Sequence, residues 1–137
     1  MIWEDVVDFF IITKKGKESI IELLEKSGYS SMINEIVDEK KMFMYSIGKG
    51  IYFIRTMIDI DEEEVYIGVS EEDTGLKSFD GIPVKIIILL FHPKDKKNFV
   101  KFVSFFFRLL NIPSVRNEII KAKDVDEVKG ILKREPV

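Results

Sequence analysis

The chain has 137 residues, 46% of them hydrophobic, and a formal net charge of -3. This length predicts a single domain spanning residues 1–137, and the acidic balance argues against a nucleic-acid-binding protein, which needs a basic surplus to neutralise phosphates. The absence of cysteine excludes disulfides and thiolate metal sites, and because the amino terminus is acidic and no apolar run approaches the roughly 20 residues of a membrane span, we expect a cytoplasmic protein with no membrane insertion.

The hydrophobic pattern predicts strands and helices in chain order. A first strand is predicted at 6–12, followed by helices at 17–27 and from residue 30 or 31 to 37. Strands are then predicted at 51–58, 65–69 and 84–91, the last as a central strand buried on both faces. Three helices follow, from residue 94 or 95 to 110, after Pro113 with Ser114 as cap, and from the cap Asp124 to about 134. This order of one strand, two helices, three strands and three helices predicts an α/β protein, a three-layer α/β/α sandwich with a mixed central sheet.

The first of these three helices contains Phe105, Phe106 and Phe107 in succession. At about 100° per residue the three side chains spread over some 200° of the helix, so they cannot all face one core. Either neighbouring helices cover this helix on both sides, or one phenylalanine contributes to a partner or homodimer surface.

A glycine-spaced turn, Gly48 and Gly50 around Lys49, precedes the strand at 51–58. It lacks the Gly-Lys-Ser/Thr ending of a P-loop, and the third glycine of a dinucleotide fingerprint would fall on Phe53. The sequence therefore predicts a turn, with no nucleotide site and no cofactor. The strand that follows carries Arg55 towards its end, where a rigidly held side chain reaches the surface.

An acidic segment comes after this strand. Asp59, Asp61 and Glu63 alternate as the ligands of a calcium loop do, but Glu64 stands where that loop needs glycine. We interpret the segment as a solvated connection and predict no metal site. The lysine and glutamate bias of the surface is one reported for proteins of hot-living organisms.

His92 is the only histidine and is predicted to lie where the central strand reaches the surface. In that place it would be suited to act as a general base or a phosphate acceptor. The simpler interpretation is a strand-end histidine with a satisfied hydrogen bond. No Gly-x-Ser-x-Gly elbow accompanies it, which argues against a hydrolase triad.

Residues 47–55 read Ile-Gly-Lys-Gly-Ile-Tyr-Phe-Ile-Arg, and they resemble the first half of Ile-Gly-x-Gly-Ile-Ala-Ile-Pro-His. That motif belongs to the enzyme IIA domains of the bacterial phosphotransferase system, of the fructose, mannitol and nitrogen-regulatory type, which carry a phosphoryl group on its histidine. Residues 79–84, 88–95 and 119–128 extend the resemblance over nearly the whole chain. It implies the α/β sandwich already predicted and a protein partner within a phosphotransferase-like network.

The departures from the family affect its chemical positions. Arg55 replaces the phosphorylated histidine and Ile54 the preceding proline, while the second histidine and the site arginine correspond to Asn98 and Glu39. A guanidinium stays protonated and is not a nucleophile. The resemblance therefore implies a regulatory or protein-binding module, and it favours a role without enzymatic activity. The candidate ligand- or partner-binding residues are Arg55, Asn98, His92, Lys49 and Glu39.

Alternatives remain open at this stage. Arg55 can hold an anion or an acidic partner group, or it can be an ordinary solvated residue at a strand end. His92 can have taken over as the phosphoryl acceptor of an active phosphocarrier. The phenylalanine-rich helix can instead make the chain an oligomeric interaction protein.

Overall fold

The computed structural model describes residues 6–94 and 99–134, without the side chain of residue 99. Within these ranges one sheet is formed by five strands: β1 Val7–Ile11, β2 Ser46–Gly48, β3 Ile51–Met57, β4 Glu64–Val69 and β5 Ile86–His92. The helices of the described residues are α1 Lys17–Lys26, α2 Ile33–Ile36, α3 Glu39–Met42, α4 Phe99–Leu110, α5 Pro113–Lys121 and α6 Val125–Arg134. Single 3₁₀ turns occupy Ser30–Met32 and Phe43–Tyr45.

The sheet is mixed, with strand order β1-β4-β5-β3-β2. β5 lies in its centre, parallel to β3 on one side and antiparallel to β4 on the other. Every residue of β5 is buried, as its uninterrupted apolar run predicts for a strand covered on both faces. The prediction of a central strand is therefore confirmed.

Two hydrophobic cores lie on opposite faces of the sheet. Because side chains alternate along a strand, Ile51 and Phe53 of β3 join the core formed with α4, α5 and α6, while Tyr52 and Ile54 join the core formed with α1 and α2. We call these the α4 face and the α1 face. Helices cover both faces, which confirms the three-layer α/β/α sandwich.

The three phenylalanines of α4 divide between core and surface. Phe105 and Phe106 are buried at 3% and 1% exposure, whereas Phe107 is 45% exposed. The ring of Phe107 packs edge-on against Phe53 of β3, with 5.3 Å between centroids. Neighbouring elements thus cover two of the three side chains, and Phe107 is half exposed at the edge of this core.

Several predicted boundaries need correction. The helix predicted at 30–37 is a 3₁₀ turn followed by the short α2, and α3 forms where the charged residues were expected to end helical structure. α3 begins because the side chain of Asp38 caps it by accepting a hydrogen bond from the Lys40 amide, at 3.0 Å. Residues predicted only as a turn also form β2.

The three final helices agree more closely with prediction. Ser114 is not a cap: α5 already begins at Pro113, which needs no amide hydrogen at a first helical position. Asp124 does cap α6, since its carboxylate accepts from the Glu127 amide at 2.9 Å. The predicted start of α4 near residue 95 lies outside the described residues. Among the helices described, none is long and apolar enough to cross a membrane.

Candidate functional site

Arg55 lies exposed on the α4 face of β3. It is paired in register with Leu90 of β5 and lies two positions before Met57, the last residue of the strand. β2 pairs only with the first residues of β3, Ile51 and Tyr52, so the strand passes beyond β2 before it reaches Arg55. The predicted surface position of Arg55 is confirmed.

His92 is a neighbour of Arg55 on the same face. It is paired with Met57 and follows Leu90, the partner of Arg55, by two residues. The predicted surface position of His92 is wrong: β5 continues through residue 92 beside β3, and the side chain is only 4% exposed. Its Nδ1 lies 3.1 Å from the Pro93 carbonyl oxygen, to which the Nδ1-protonated imidazole donates a hydrogen bond.

Glu63 is a third residue at this end of the sheet, which the sequence analysis assigned to a solvated connection and not to a site. Since Glu64 pairs with Phe91 across the antiparallel β4–β5 ladder, Glu63 falls opposite His92. Its exposure is 0%, which contradicts the predicted solvated connection. Neither carboxylate oxygen has a hydrogen-bond partner within residues 6–94 and 99–134. Arg55, His92 and Glu63 thus occupy neighbouring strand positions on one face.

The structure does not bring together the other predicted site residues. Lys49 lies in the turn before β3, at the opposite end of that strand from Arg55. Glu39 lies on the α1 side, where it forms an ion pair of 3.8 Å with Lys17 and lines a cavity with Tyr52. Asn98 lies outside the described residues. Of the four candidates within the described residues, only Arg55 and His92 are therefore placed side by side.

The glycine-spaced motif is a tight turn between β2 and β3. Gly48, Lys49 and Gly50 all have positive φ, at 84°, 60° and 79°, a conformation that glycine adopts at little cost. The carboxylate of Asp80 accepts a hydrogen bond from the Lys49 amide at 2.7 Å, and a Cβ on Gly48 would lie 3.0 Å from that same oxygen. The motif therefore shapes the chain and anchors the start of β3.

The stability that the Asp80 hydrogen bond gives this turn is expected to depend on pH. The hydrogen bond from the Lys49 amide is the main cause that lowers the pKa of Asp80. A pKa lowered in the folded state stabilises the protein above the ordinary aspartate value near ~4, and this contribution is lost as the pH falls through the folded value. We expect Asp80→Asn to lower the melting temperature at pH 7 and the gap from the original protein to narrow towards pH 2, measured by circular dichroism. Asp59→Asn, at an exposed position, is the control, and a gap independent of pH would contradict the assignment.

Solved structures of the IIA class share this fold. The nitrogen regulatory protein IIA-Ntr from Neisseria meningitidis matches with a TM-score of 0.70 and 16% identity, covering 96% of this chain and 99% of its own. The mannitol-specific cryptic enzyme IIA CmtB from Escherichia coli has a TM-score of 0.67 at 16% identity, covering 98% and 100%. Enzyme IIAMTL in its complex with phosphorylated enzyme IIBMTL from Escherichia coli has a TM-score of 0.65 at 16% identity, covering 96% of each chain.

The sequence itself matches a family model over residues 14–135, described as phosphoenolpyruvate-dependent sugar phosphotransferase system, EIIA 2. The chain belongs to this family. No curated protein sequence matches it. The family resemblance of the 47–55 motif therefore holds for the chain as a whole.

Proposed function

We propose that this chain is an enzyme IIA-type domain that binds a protein partner of a phosphotransferase-like network and does not itself accept a phosphoryl group. The observation that carries the proposal is that Arg55 is exposed on β3, at the position that the resemblance of the 47–55 motif assigns to the family's phosphohistidine. A guanidinium offers no nucleophilic lone pair but binds carboxylate or phosphate oxygens through two parallel hydrogen bonds. Recognition of an anionic group replaces its transfer.

The surroundings of Arg55 suit a protein surface. Leu110, the last residue of α4, and the following Asn111 line a small cavity with Gly48 of β2 and Ile51, the first residue of β3. α4 therefore runs antiparallel to β3, and its first turns lie towards Arg55. Exposed apolar side chains follow this strand and helix, and they are Met57 at 54%, Val100 at 52% and Phe107 at 45%. A cation beside exposed apolar groups is typical of sites where another protein binds.

A similar IIA chain has been solved in complex with phosphorylated enzyme IIB. By analogy, a phosphorylated partner protein is the kind of ligand that Arg55 would recognise here, through its phosphoryl oxygens. The charge of Arg55 then acts on the partner's phosphate without forming a bond to phosphorus, which makes the domain a sensor of its partner's phosphorylation.

Phosphoryl transfer is the direct test. The purified chain is incubated with the phosphorylated histidine carrier of Escherichia coli, beside a IIA protein that has its histidine as positive control. We expect no labelled chain, because the guanidinium stays protonated. Labelling would overturn the proposal, and its loss in His92→Ala would identify His92 as the acceptor, a role that its 4% exposure disfavours.

Anion binding by Arg55 is measured separately, by titrating the ¹⁵N-labelled chain with inorganic phosphate. We expect saturable amide shifts around Arg55 that disappear in Arg55→Gln and persist in Arg108→Gln, the matched control at an exposed position of α4. Equal shifts in both variants would show that the binding of phosphate does not depend on Arg55.

A further inference from the structure

A cavity of about 940 Å³ opens beside β1, away from α4. Its wall is formed by the start of β1, the segment before β4 and one side of α6. The residues that line it are Val6, Val7, Asp8, Ile60, Asp61, Glu62, Glu63, Glu64, Tyr66, Val125 and Lys129. Five of these are acidic and one is basic, so the cavity has a strongly negative lining with aliphatic walls.

Two adjacent glutamates in this lining differ in their contacts. One oxygen of Glu64 accepts hydrogen bonds from the hydroxyls of Tyr29 and Tyr66, at 2.7 and 2.5 Å. Burial and these contacts raise the pKa of both tyrosines, which keeps the hydroxyls protonated as donors. The fold therefore explains Glu64, because its carboxylate connects Tyr29, in the loop after α1, to strand β4.

Glu63 has no comparable explanation. It is completely buried, and neither of its oxygens has a partner among the residues described. Burying a carboxyl group without hydrogen bonds is costly, and most buried polar groups in proteins are paired. A buried acceptor without a partner, in the lining of a cavity with four further carboxylates, indicates that a ligand supplies the donors.

We propose that this cavity binds an organic cation, an ammonium or guanidinium group on an aliphatic stem, with Glu63 as its innermost acceptor. The exposed carboxylates of Asp8, Asp61 and Glu62 raise the local concentration of cations. Val6, Val7, Ile60 and Val125 contact the stem. A metal ion fits less well, because in the part of the chain that the structure describes no three acidic or histidine side chains are grouped to hold one.

This inference concerns a cationic ligand, whereas the proposed function concerns an anionic group at Arg55. Glu63 itself lies on the α4 face, opposite His92 in the β4–β5 ladder. Two side chains of the described residues are internal rivals as donors to Glu63. His92 lies opposite Glu63 across the β4–β5 ladder, and Lys129 of α6 also lines the cavity. A structural ion pair of Glu63 with either side chain would satisfy the carboxylate without any ligand.

Titration calorimetry tests the site with two probes, spermidine and the capped peptide Ala-Lys-Lys-Ala, each at 20 and 150 mM salt. We expect saturable binding that weakens at least tenfold in Glu63→Gln and less than twofold in Glu62→Gln, which removes the same charge from an exposed position. Binding of spermidine alone identifies a small polyamine, and binding of the peptide identifies a basic side chain of another protein. Absence of binding by both probes, or equal loss in both variants, would overturn the proposal.

Thermal unfolding without a probe distinguishes a bound ligand from a partner within the chain as the natural donor to Glu63. If a ligand is the natural partner of Glu63, Glu63→Gln keeps the shape, removes an uncompensated buried carboxylate and raises the melting temperature. If Lys129 or His92 is the partner, Glu63→Gln lowers the melting temperature together with Lys129→Met or His92→Gln, which would contradict the proposal. Because this readout needs no binding, it also shows directly whether Glu63→Gln folds.

Discussion

Replacing Gly50 with alanine is expected to lower the free energy of unfolding by about 3 kcal/mol. Gly50 has φ of +79°, and a Cβ built there lies 2.5 Å from the carbonyl oxygen of Pro83. The backbone cannot shift to relieve this contact without loss, because the Gly50 carbonyl accepts hydrogen bonds from the amides of Lys85 and Ile86 at 3.0 and 3.2 Å. The substitution therefore disrupts the start of the β3–β5 ladder that carries Arg55 and His92.

Urea unfolding measures this effect, with Gly75→Ala as the matched control. Gly75 has nearly the same φ, +78°, but open space around its Cβ direction. The control therefore carries the conformational cost without the contact, and we expect it to lower the free energy of unfolding by about 1 kcal/mol. Equal losses in the two variants would show that the approach of Pro83 contributes nothing.

Truncating Phe106 to alanine is expected to cost about 3 to 5 kcal/mol, the range for a buried phenylalanine. Phe106 is 1% exposed in the core of the α4 face, with its ring edge-on to Phe105 at 5.6 Å. The cavity left behind would lie between the sheet and three helices that cannot collapse into it without repacking. The same variant therefore tests whether α4 is fixed against the sheet.

Phe107→Ala is the natural comparison, since it removes the same atoms one residue along the helix. Phe107 is 45% exposed and touches Phe53 only at the rim of the core, so we expect less than half the loss found for Phe106. Denaturation curves for both variants give the ratio. A larger loss for Phe107 would mean that the faces of α4 are assigned wrongly.

Gly50 and Phe106 affect function only indirectly, because they support the elements that carry the exposed surface. Gly50 sets the entry of β3, and Phe106 holds α4 beside that strand, while Arg55, Met57 and Phe107 remain exposed. Destabilising either position should weaken anion binding only as far as the protein unfolds. A loss of phosphate binding in folded Arg55→Gln is thereby distinguishable from a loss of structure.

The sequence alone determined the features that depend on neighbours along the chain. The apolar run of β5 predicted a central strand, because only a strand covered on both faces tolerates so many consecutive apolar side chains. The motif at 47–55 indicated the family, and its resemblance predicts that Arg55 occupies the position of the family's phosphohistidine. The glycines predicted a turn because positive φ is a local property of the backbone.

Only the tertiary structure decided which distant residues meet. His92 is buried, and not exposed, because β3 flanks β5 up to its last residue and β4 up to Phe91, with the buried Glu63 following opposite His92. Lys49 and Glu39 lie apart from Arg55 because strand direction and sheet face separate them. Glu63 lies two residues before Val65 and so continues the alternation of inward-facing side chains formed by Val65 and Ile67. This alternation is present in the sequence, but the acidic neighbours of Glu63 conceal it. That Glu63 lies opposite His92 follows from the strand register. Register is set by packing between segments, which no local sequence pattern specifies.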